Sequence, residues 1–285
     1  MLTKMAYGCL AIALGASVAA AQESPKAPRP SDMYCSGIVT HEAVPYDTYV
    51  ISGEEANFKI TFAQSDLVYI NKGASAGVKA GDEFMVMRPV REHLEIPWFK
   101  TQMSMLRGMG TTYADLGRLR VVHTEENVSV AEVVFSCDYM QRGDIVQPFA
   151  ERPAPPFKAA AKFDRFAPLS GKAVGVVVSA KGFGQMAGDG TVVYTNLGSG
   201  QGVKVGDYIR IFRYQGSRQE TAYVDADTSY KMFGFGKSPA AYRGGQLPRE
   251  ILGEGIVLRV SPTASTLLLT VGSRQIYPGD HSEIE

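Results

Sequence analysis

The sequence predicts a mainly β protein composed of two tandem, internally repeated small β-barrel domains with short helical excursions. A segment that starts at Asp66, DLVYINKGASAGVKAGDEFMVMR, recurs from Thr191 as TVVYTNLGSGQGVKVGDYIRIFR. A later segment that starts at Gly117 aligns without a gap to one that starts at Gly253. Around both, short stretches rich in Val, Ile, Tyr and Phe alternate with turns that contain Gly and Asp, which is typical of small all-β domains. We expect barrels of an SH3-like or similar type.

The N-terminus predicts a cleaved secretory signal peptide. Lys4 precedes an apolar run, and the small residues Ala19 and Ala21 stand before Gln22, where a signal peptidase would cut. A membrane anchor or a buried first helix is the alternative, but the run is shorter than the roughly 20 residues that span a bilayer. No later segment is apolar enough to cross. We therefore expect a mature product that is secreted across the inner membrane into the periplasm and has no transmembrane segment.

The composition fits two packed domains and argues against nucleic acid as a partner. The chain has 285 residues, of which 45% are hydrophobic, enough for two ordinary cores. Its 29 Lys and Arg residues are balanced by 29 Asp and Glu residues. Proteins that bind nucleic acid non-specifically need an excess of positive charge to contact phosphates.

Proline-rich stretches mark the predicted domain boundaries, because proline favours extended and turn conformations. We expect the second of these stretches to hold the two barrels at a fixed distance. The predicted units are a signal peptide (1–21), a flexible tether (22–33), a first barrel (34–150), a Pro-rich linker (151–169) and a second barrel (170–285).

Strands are predicted wherever short apolar stretches lie between turn residues. In the first repeat they are 68–71, 83–88, 118–123, 129–136 and 145–148, and in the second 173–180, 191–196, 208–214, 255–260, 266–271 and 281–284. Short helices are predicted around 99–109 and 246–251, in excursions between the conserved parts of each repeat, and one helical turn at 158–163.

A Gly-Asp pair precedes a predicted strand at four corresponding places. Glycine can adopt positive φ in such a turn, and the carboxylate can accept a backbone N–H. A metal-binding role for the carboxylates is the alternative, but no cluster of further ligands accompanies them. The structural turn residues are Gly81, Asp82, Gly143, Asp144, Gly206, Asp207, Gly279 and Asp280.

Two cysteines remain after removal of the signal peptide, Cys35 and Cys137. An even count in a compartment that permits oxidation favours a disulfide between them. Two buried, unpaired thiols are the alternative. Redox catalysis is disfavoured because the chain has no Cys-x-x-Cys pair.

No motif predicts an active site, a metal or a cofactor. The glycine-rich run 171–190 lacks the order of a phosphate-binding loop and predicts a hairpin instead. The four histidines are spread singly, without metal-ligand spacing, and no nucleophile motif accompanies His93, which has Glu92 beside it. We therefore predict a protein that is not an enzyme.

The excursions are the candidate binding sites, because aromatic and Met side chains on loops are typical of interfaces and sugar-stacking surfaces. The same residues would suit a lid over the open end of a barrel, and both interpretations stay open. The candidate binding residues are Trp98, Phe99, Tyr113, Tyr230, Phe233, Phe235 and Tyr242.

The repeated pattern Asn-x-Gly-x3-Gly-Val-Lys-x-Gly-Asp, followed by a strand that ends in Arg and a later Gly-Asp, resembles a family of envelope modules. It spans residues 71–88 with 117–144, and 196–213 with 253–280. It is similar to the C-terminal domain of flagellar assembly protein T and, less closely, to the β modules of rod-shape-determining protein C. The resemblance implies a β-barrel module of the bacterial cell envelope, here in tandem duplicate.

We accordingly expect a non-enzymatic binding or scaffold protein that contacts an envelope protein or peptidoglycan. One alternative is a structural subunit of a homo-oligomeric ring or filament, in which exposed strand edges pair between copies. Another is a hydrolase, whose site would be a deep pocket with convergent carboxylates between the repeats.

Overall fold

The computed structural model describes residues 27–55, 57–94, 96–159, 163–214, 231–232, 236–237 and 248–285. These residues are mainly β, with two short helices, α1 (Pro30–Tyr34) and α2 (Gln102–Met109). We refer to residues 27–150 as the first half and to residues 170–285 as the second half. The strands are β1 (Ile38–Thr40), β2 (Val50–Gly53), β3 (Thr61–Phe62), β4 (Leu67–Ile70), β5 (Glu83–Val90), β6 (Thr111–Thr124), β7 (Ser129–Ser136), β8 (Met140–Gln141), β9 (Ile145–Pro148), β10 (Val174–Ala180), β11 (Val192–Thr195), β12 (Tyr208–Tyr214), β13 (Lys231–Met232), β14 (Gly236–Lys237), β15 (Arg249–Val260), β16 (Ser265–Gly272) and β17 (His281–Ile284).

The second half contains a closed six-stranded antiparallel barrel. Its strand order is β10-β11-β16-β15-β12-β17, and β17 pairs back with β10. Because successive side chains of a strand point to opposite faces, one set from each strand fills the interior. Val193, Ile209 and Leu267 are fully buried in this aliphatic core. The barrel is thus filled by its own side chains.

The first half contains a seven-stranded antiparallel sheet in the order β2-β4-β7-β6-β5-β9, with β1 added to β6. A bridge between Tyr49 and Ile145 connects the two ends of this order. Val68, Leu119 and Val133 are fully buried in its core. The order of corresponding strands is the same in both halves. In that order, β2, β4, β7, β6, β5 and β9 of the first half match β10, β11, β16, β15, β12 and β17 of the second.

The Gly-Asp pairs form turns in which the carboxylate accepts a backbone N–H. Asp82 accepts from the N–H of Lys79 at 2.9 Å, and Asp207 accepts from that of Lys204 at 2.8 Å. All four glycines have positive φ, between +86° and +102°: Gly81, Gly143, Gly206 and Gly279. Each turn thereby closes on itself and directs the chain into the next strand.

The second Gly-Asp pair of each half also binds the arginine that recurs in the sequence repeat. Arg88 donates from Nε and Nη2 to the two carboxylate oxygens of Asp144, at 2.7 and 2.8 Å. Arg213 binds Asp280 in the same bidentate way, at 2.6 and 2.7 Å. Both carboxylates are buried, and such bidentate pairs are strong and geometrically specific. The recurrence of Arg and Asp is therefore explained by the same ion pair in each half.

The predicted disulfide between Cys35 and Cys137 is confirmed. It joins the residue after α1 to the turn between β7 and β8, with the two Cα atoms 5.4 Å apart. The N-terminal arm formed by α1 and β1 is thus covalently attached to the sheet of the first half. A disulfide is compatible with a secreted protein.

Three segments differ from the sequence-based expectation. Part of the predicted tether forms α1, in which Met33 is buried. Residues 249–251, predicted as helical, begin β15 instead, because they pair with Tyr214, Arg213 and Phe212 of β12. The described residues of the predicted helical turn at 158–163 have no helical conformation.

In the part of the chain that the structure describes, no helix has the length and apolarity needed to span a bilayer. The predicted signal peptide, residues 1–21, lies outside that part.

Candidate interaction site between the two halves

The outer surface of the second-half barrel is apolar where the first half contacts it. Val192, Tyr194, Ile256, Leu258 and Leu268 are buried on this surface. Strands of this barrel are therefore buried on both faces, and the outer face requires a cover to exclude water.

The first half provides the cover from three elements. Met33 of α1, Val39 of β1 and Phe99 of the excursion between β5 and β6 are buried against the barrel, together with Ile96 and Met109 of that excursion. The excursion of the first half thus lies on the side of the second-half barrel, where it covers the wall.

Buried hydrogen bonds also join the two halves. The side-chain amide of Gln102 donates to the carbonyl oxygen of Val178 at 2.9 Å. The hydroxyl of Tyr194 donates to the carbonyl oxygen of Ser36 at 2.8 Å. Burial raises the pKa of the Tyr194 phenol, so the group stays a neutral donor. Since hydrogen bonds are directional, they set the orientation of the halves more strictly than apolar contact alone.

A buried carboxylate contacts three parts of the chain. Asp115 of β6 accepts from Arg259 of the second half at 3.2 and 3.3 Å and from the backbone N–H of Gly37 at 2.8 Å. Arg152 of the linker lies 4.0 Å from the same carboxylate and over the ring of Tyr34. Burial lowers the pKa of Arg152, and neighbouring Arg259 lowers it further. Asp115 therefore holds both halves and the start of the linker at one point.

The described part of the predicted linker lies along the second half. Lys158 binds Glu254 and Glu285 at 2.8 and 2.6 Å. Arg249 of β15 donates to the carbonyl oxygens of Ala167 and Pro168 at 2.8 and 2.6 Å. These contacts hold the segment before β10 against the second half.

A cleft of about 540 Å³ opens at the edge of this contact. The first half contributes the ends of β5 and β6 and one side of α2, and the second half contributes Phe183. Its apolar lining includes Val90, Met103 and Leu106. Volumes of several hundred Å³ are typical of sites that hold small molecules or side chains of a partner.

The rim of the cleft is cationic. Arg91 and Arg107 line it and are exposed. Glu92 also lines the cleft, but its Oε1 accepts the backbone N–H groups of His93 and Leu94 at 2.8 and 2.7 Å. An anionic group entering the cleft would therefore meet two exposed guanidinium groups and one carboxylate, a net positive charge.

Phe183 has an unusual backbone conformation. It ends the short 3-10 turn Lys181–Phe183 between β10 and β11, with φ of +57°. Bulky side chains rarely adopt positive φ, which costs on the order of 1–3 kcal/mol and is often found at functional sites. The turn holds the aromatic ring at the cleft.

The structure places the predicted binding residues in different environments. Phe99, 1% exposed, is in the core between the halves. Tyr113 is buried beside Met87 and Ile145. Trp98 is half-buried, with its ring edge-on to that of Tyr277 at 6.2 Å. Of the predicted set, Tyr230, Phe233, Phe235 and Tyr242 lie outside the described residues.

Several cleft residues were not singled out in the sequence. Met103 belongs to the excursion that was predicted to bind, but Arg91 and Arg107 are ordinary surface cations by sequence. Phe183 lies in the glycine-rich run that predicted a hairpin, and β10 and β11 do pair there. An aromatic residue between glycines in that run was the available signal.

Comparisons with known proteins give no match from which a function could be inferred, so the function is inferred from the geometry of the site. No protein-family model matches the chain, and no curated protein matches it in sequence. Among the described residues, no group of three or more His, Cys, Asp or Glu side chains is placed to hold a metal ion.

Proposed function

We propose that this chain is a non-enzymatic, secreted binding or scaffold protein of the bacterial cell envelope that holds another envelope protein in the cleft between its halves. Its two halves are duplicated SH3-like barrel modules. The observation that carries the proposal is the cleft itself, in which Met103, Leu106 and Phe183 form an apolar lining beneath a cationic rim.

The residues that recur in both halves have structural roles in the fold. Function is therefore better sought in the parts that do not recur. Arg88 with Asp144, and Arg213 with Asp280, are used in ion pairs inside each half. The Asp of each first Gly-Asp pair is used in its turn. The parts that differ between the halves, above all the excursions, are therefore the better candidates for function.

The lining of the cleft favours a protein segment as the ligand. Met side chains adapt to different apolar partners, and arginine binds carboxylates with directional hydrogen bonds. A segment that places an apolar side chain beside an Asp or Glu would satisfy both parts of the cleft. Stacking of a sugar ring needs an exposed aromatic face, and Phe183, the one aromatic residue among the described residues that line the cleft, is only partly exposed.

The cleft gives less support to a hydrolase. Acid–base hydrolysis needs two carboxylates, or a nucleophile and its base, at the same point. Among the described residues that line the cleft, Glu92 is the one carboxylate, and it is bound to backbone N–H groups.

Reversing the charge of the rim is expected to abolish specific capture. We would crosslink the mature protein to the envelope fraction of its source cells, purify the captured protein and measure its affinity directly. The Arg91→Glu/Arg107→Glu variant should bind at least about tenfold more weakly than wild type, since two charge-assisted contacts become repulsive.

The matched control is Lys79→Glu/Lys204→Glu, which makes the same charge change at two exposed turn residues away from the cleft. It should bind within about twofold of wild type. Equal weakening of both variants would mean that the loss of affinity comes from the change in net charge, and it would contradict binding in the cleft. Capture of purified peptidoglycan by all three proteins, without a protein partner, would replace the proposal by a wall-binding function.

A further inference from the structure

The charges where the two halves meet the linker are not balanced. The guanidinium groups of Arg152 and Arg259 lie 4.0 and 3.2 Å from the carboxylate of Asp115, the one carboxylate that either of them contacts in the described part of the chain. The two arginine side chains are 23% and 17% exposed, and that of Asp115 is 1% exposed. Two positive charges and one negative charge leave an excess of one positive charge in a place largely closed to water. Such burial is costly, because the lost hydration of the charge is not replaced.

The hydrogen bonds at this point are also incomplete. Nη1 of Arg152 is buried and has no hydrogen-bond partner among the described residues. Asp115 is already engaged, because its Oδ2 accepts the backbone N–H of Gly37 at 2.8 Å and both of its oxygens accept from Arg259. Buried donors almost always have a partner, so one without a protein partner indicates a bound water molecule or ion.

An anion accounts for both observations, whereas a water molecule accounts for one. Water can accept the N–H of Arg152, but it leaves the excess positive charge in place. The ring of Tyr34, over which the Arg152 guanidinium lies at 4.8 Å, attracts the cation but carries no opposite charge. The lowered pKa of Arg152, caused by burial and then by neighbouring Arg259, has the direction expected where positive charges lack compensation.

We propose that Arg152 and Arg259 form a binding site for a small oxyanion, a phosphate or a carboxylate, at the point where the two halves and the linker meet. Arginine suits this class of ligand, because its planar set of N–H donors matches two oxygens of a phosphate or carboxylate. Within the described part of the chain Arg259 donates only from Nη1, so its other N–H groups are available. The partial exposure of both side chains gives a small anion access from solvent.

The oxyanion site is separate from the cleft, since none of its residues lines that cleft. An anion held here would contact the second half through Arg259 and the linker through Arg152, beside the Asp115 carboxylate of the first half. Because the two arginines come together only when the chain is folded, the anion should stabilise the folded state by mass action. It would act as a structural ligand that strengthens the junction of the halves.

An NMR titration of the isotope-labelled mature protein with sodium phosphate, at an ionic strength held constant with sodium chloride, tests the proposal. We expect saturable shifts of the Nε–Hε signals of Arg152 and Arg259 and of the backbone N–H of Gly37. Arg152→Lys keeps the charge but removes the planar donor set, so it should bind phosphate at least about tenfold more weakly. Arg142→Lys makes the same change at an exposed arginine of the first half and should bind within about twofold of wild type. The same titration with acetate shows whether the site prefers a carboxylate.

Urea unfolding at constant ionic strength gives a second readout. Phosphate at about ten times its dissociation constant should raise the folding equilibrium constant of wild type about elevenfold, the factor expected for one site that exists only in the folded state. Phosphate also stabilises proteins in general, because it is excluded from their surface. Arg152→Lys measures that general effect, and only the difference between the two proteins counts for the site.

Three results would overturn the proposal. Neither phosphate nor acetate could saturate the signals of Arg152 and Arg259, Arg152→Lys could bind as wild type does, or saturation could occur only at Arg91 and Arg107, which would place the anion in the cleft. Each is independent of whether the cleft binds an envelope protein, because the experiment contains this chain and small anions alone.

Discussion

Replacement of Cys35 and Cys137 by serine is expected to lower the free energy of unfolding by about 4–5 kcal/mol. The disulfide closes a loop with a sequence separation of 102, and in the chain-entropy model a loop of about 100 residues corresponds to about 4.7 kcal/mol. The loss should be felt in both halves, because Cys35 holds the arm whose Met33 and Val39 pack between them.

Urea unfolding of the oxidised protein, the reduced protein and the Cys35→Ser/Cys137→Ser variant measures this effect. Reduced wild type should unfold at the same urea concentration as the variant, and the variant should not respond to reductant. A loss below about 1 kcal/mol would mean that the arm stays in place without its covalent attachment.

Truncation of Phe99 to alanine is expected to cost about 3–5 kcal/mol, the usual range for removing a fully buried aromatic ring. Phe99 is 1% exposed and packs in the core that the two halves share. Because the ring lies in a core that contains residues of both halves, its loss should weaken their association as well as the excursion itself.

Leu94→Ala is the matched control for this variant. Leu94 belongs to the same excursion but is 71% exposed, so its truncation should change stability by less than about 0.5 kcal/mol. Unfolding in urea followed by far-UV circular dichroism gives both values. Similar values for the two variants would contradict the burial of Phe99 between the halves.

The strands could be predicted from the sequence because each one depends on a local pattern of apolar and turn residues. The Gly-Asp turns need only a glycine with positive φ and a carboxylate that reaches back to Lys79 or Lys204. The disulfide could be predicted because the two cysteines outside the predicted signal peptide leave one possible pairing. The helix predicted at 246–251 was wrong at Arg249 to Ile251, where pairing with β12 overrides local propensity.

The docking of the halves was not predicted, because it depends on which outward-facing side chains are apolar. Strand β16 contains the unbroken run Leu267 to Leu269, and β15 contains Ile256 to Leu258. A continuous apolar run is typical of a strand buried on both faces. At the corresponding position, the first half has Arg120 and Glu132, and that asymmetry indicates which half is covered.

The cleft could not be predicted from sequence because its two sides come from distant segments. Met103 and Phe183 meet only when the excursion lies against the second half. The aromatic composition of the excursion indicated that it makes contacts, but not with which surface. For Phe99, that surface belongs to the other half of the same chain.

The central claim is that the two halves form one cooperative unit, in which Phe183 of the second half completes a cleft of the first half. The chain has one tryptophan, Trp98, which lies at the junction against Tyr277 of the second half. Its fluorescence therefore follows the junction, whereas far-UV circular dichroism follows all the strands. We predict that the two signals give one coincident urea transition, as cooperative two-state unfolding requires. A fluorescence transition at lower urea, with the strands still intact, would show halves that separate before they unfold and would contradict the account.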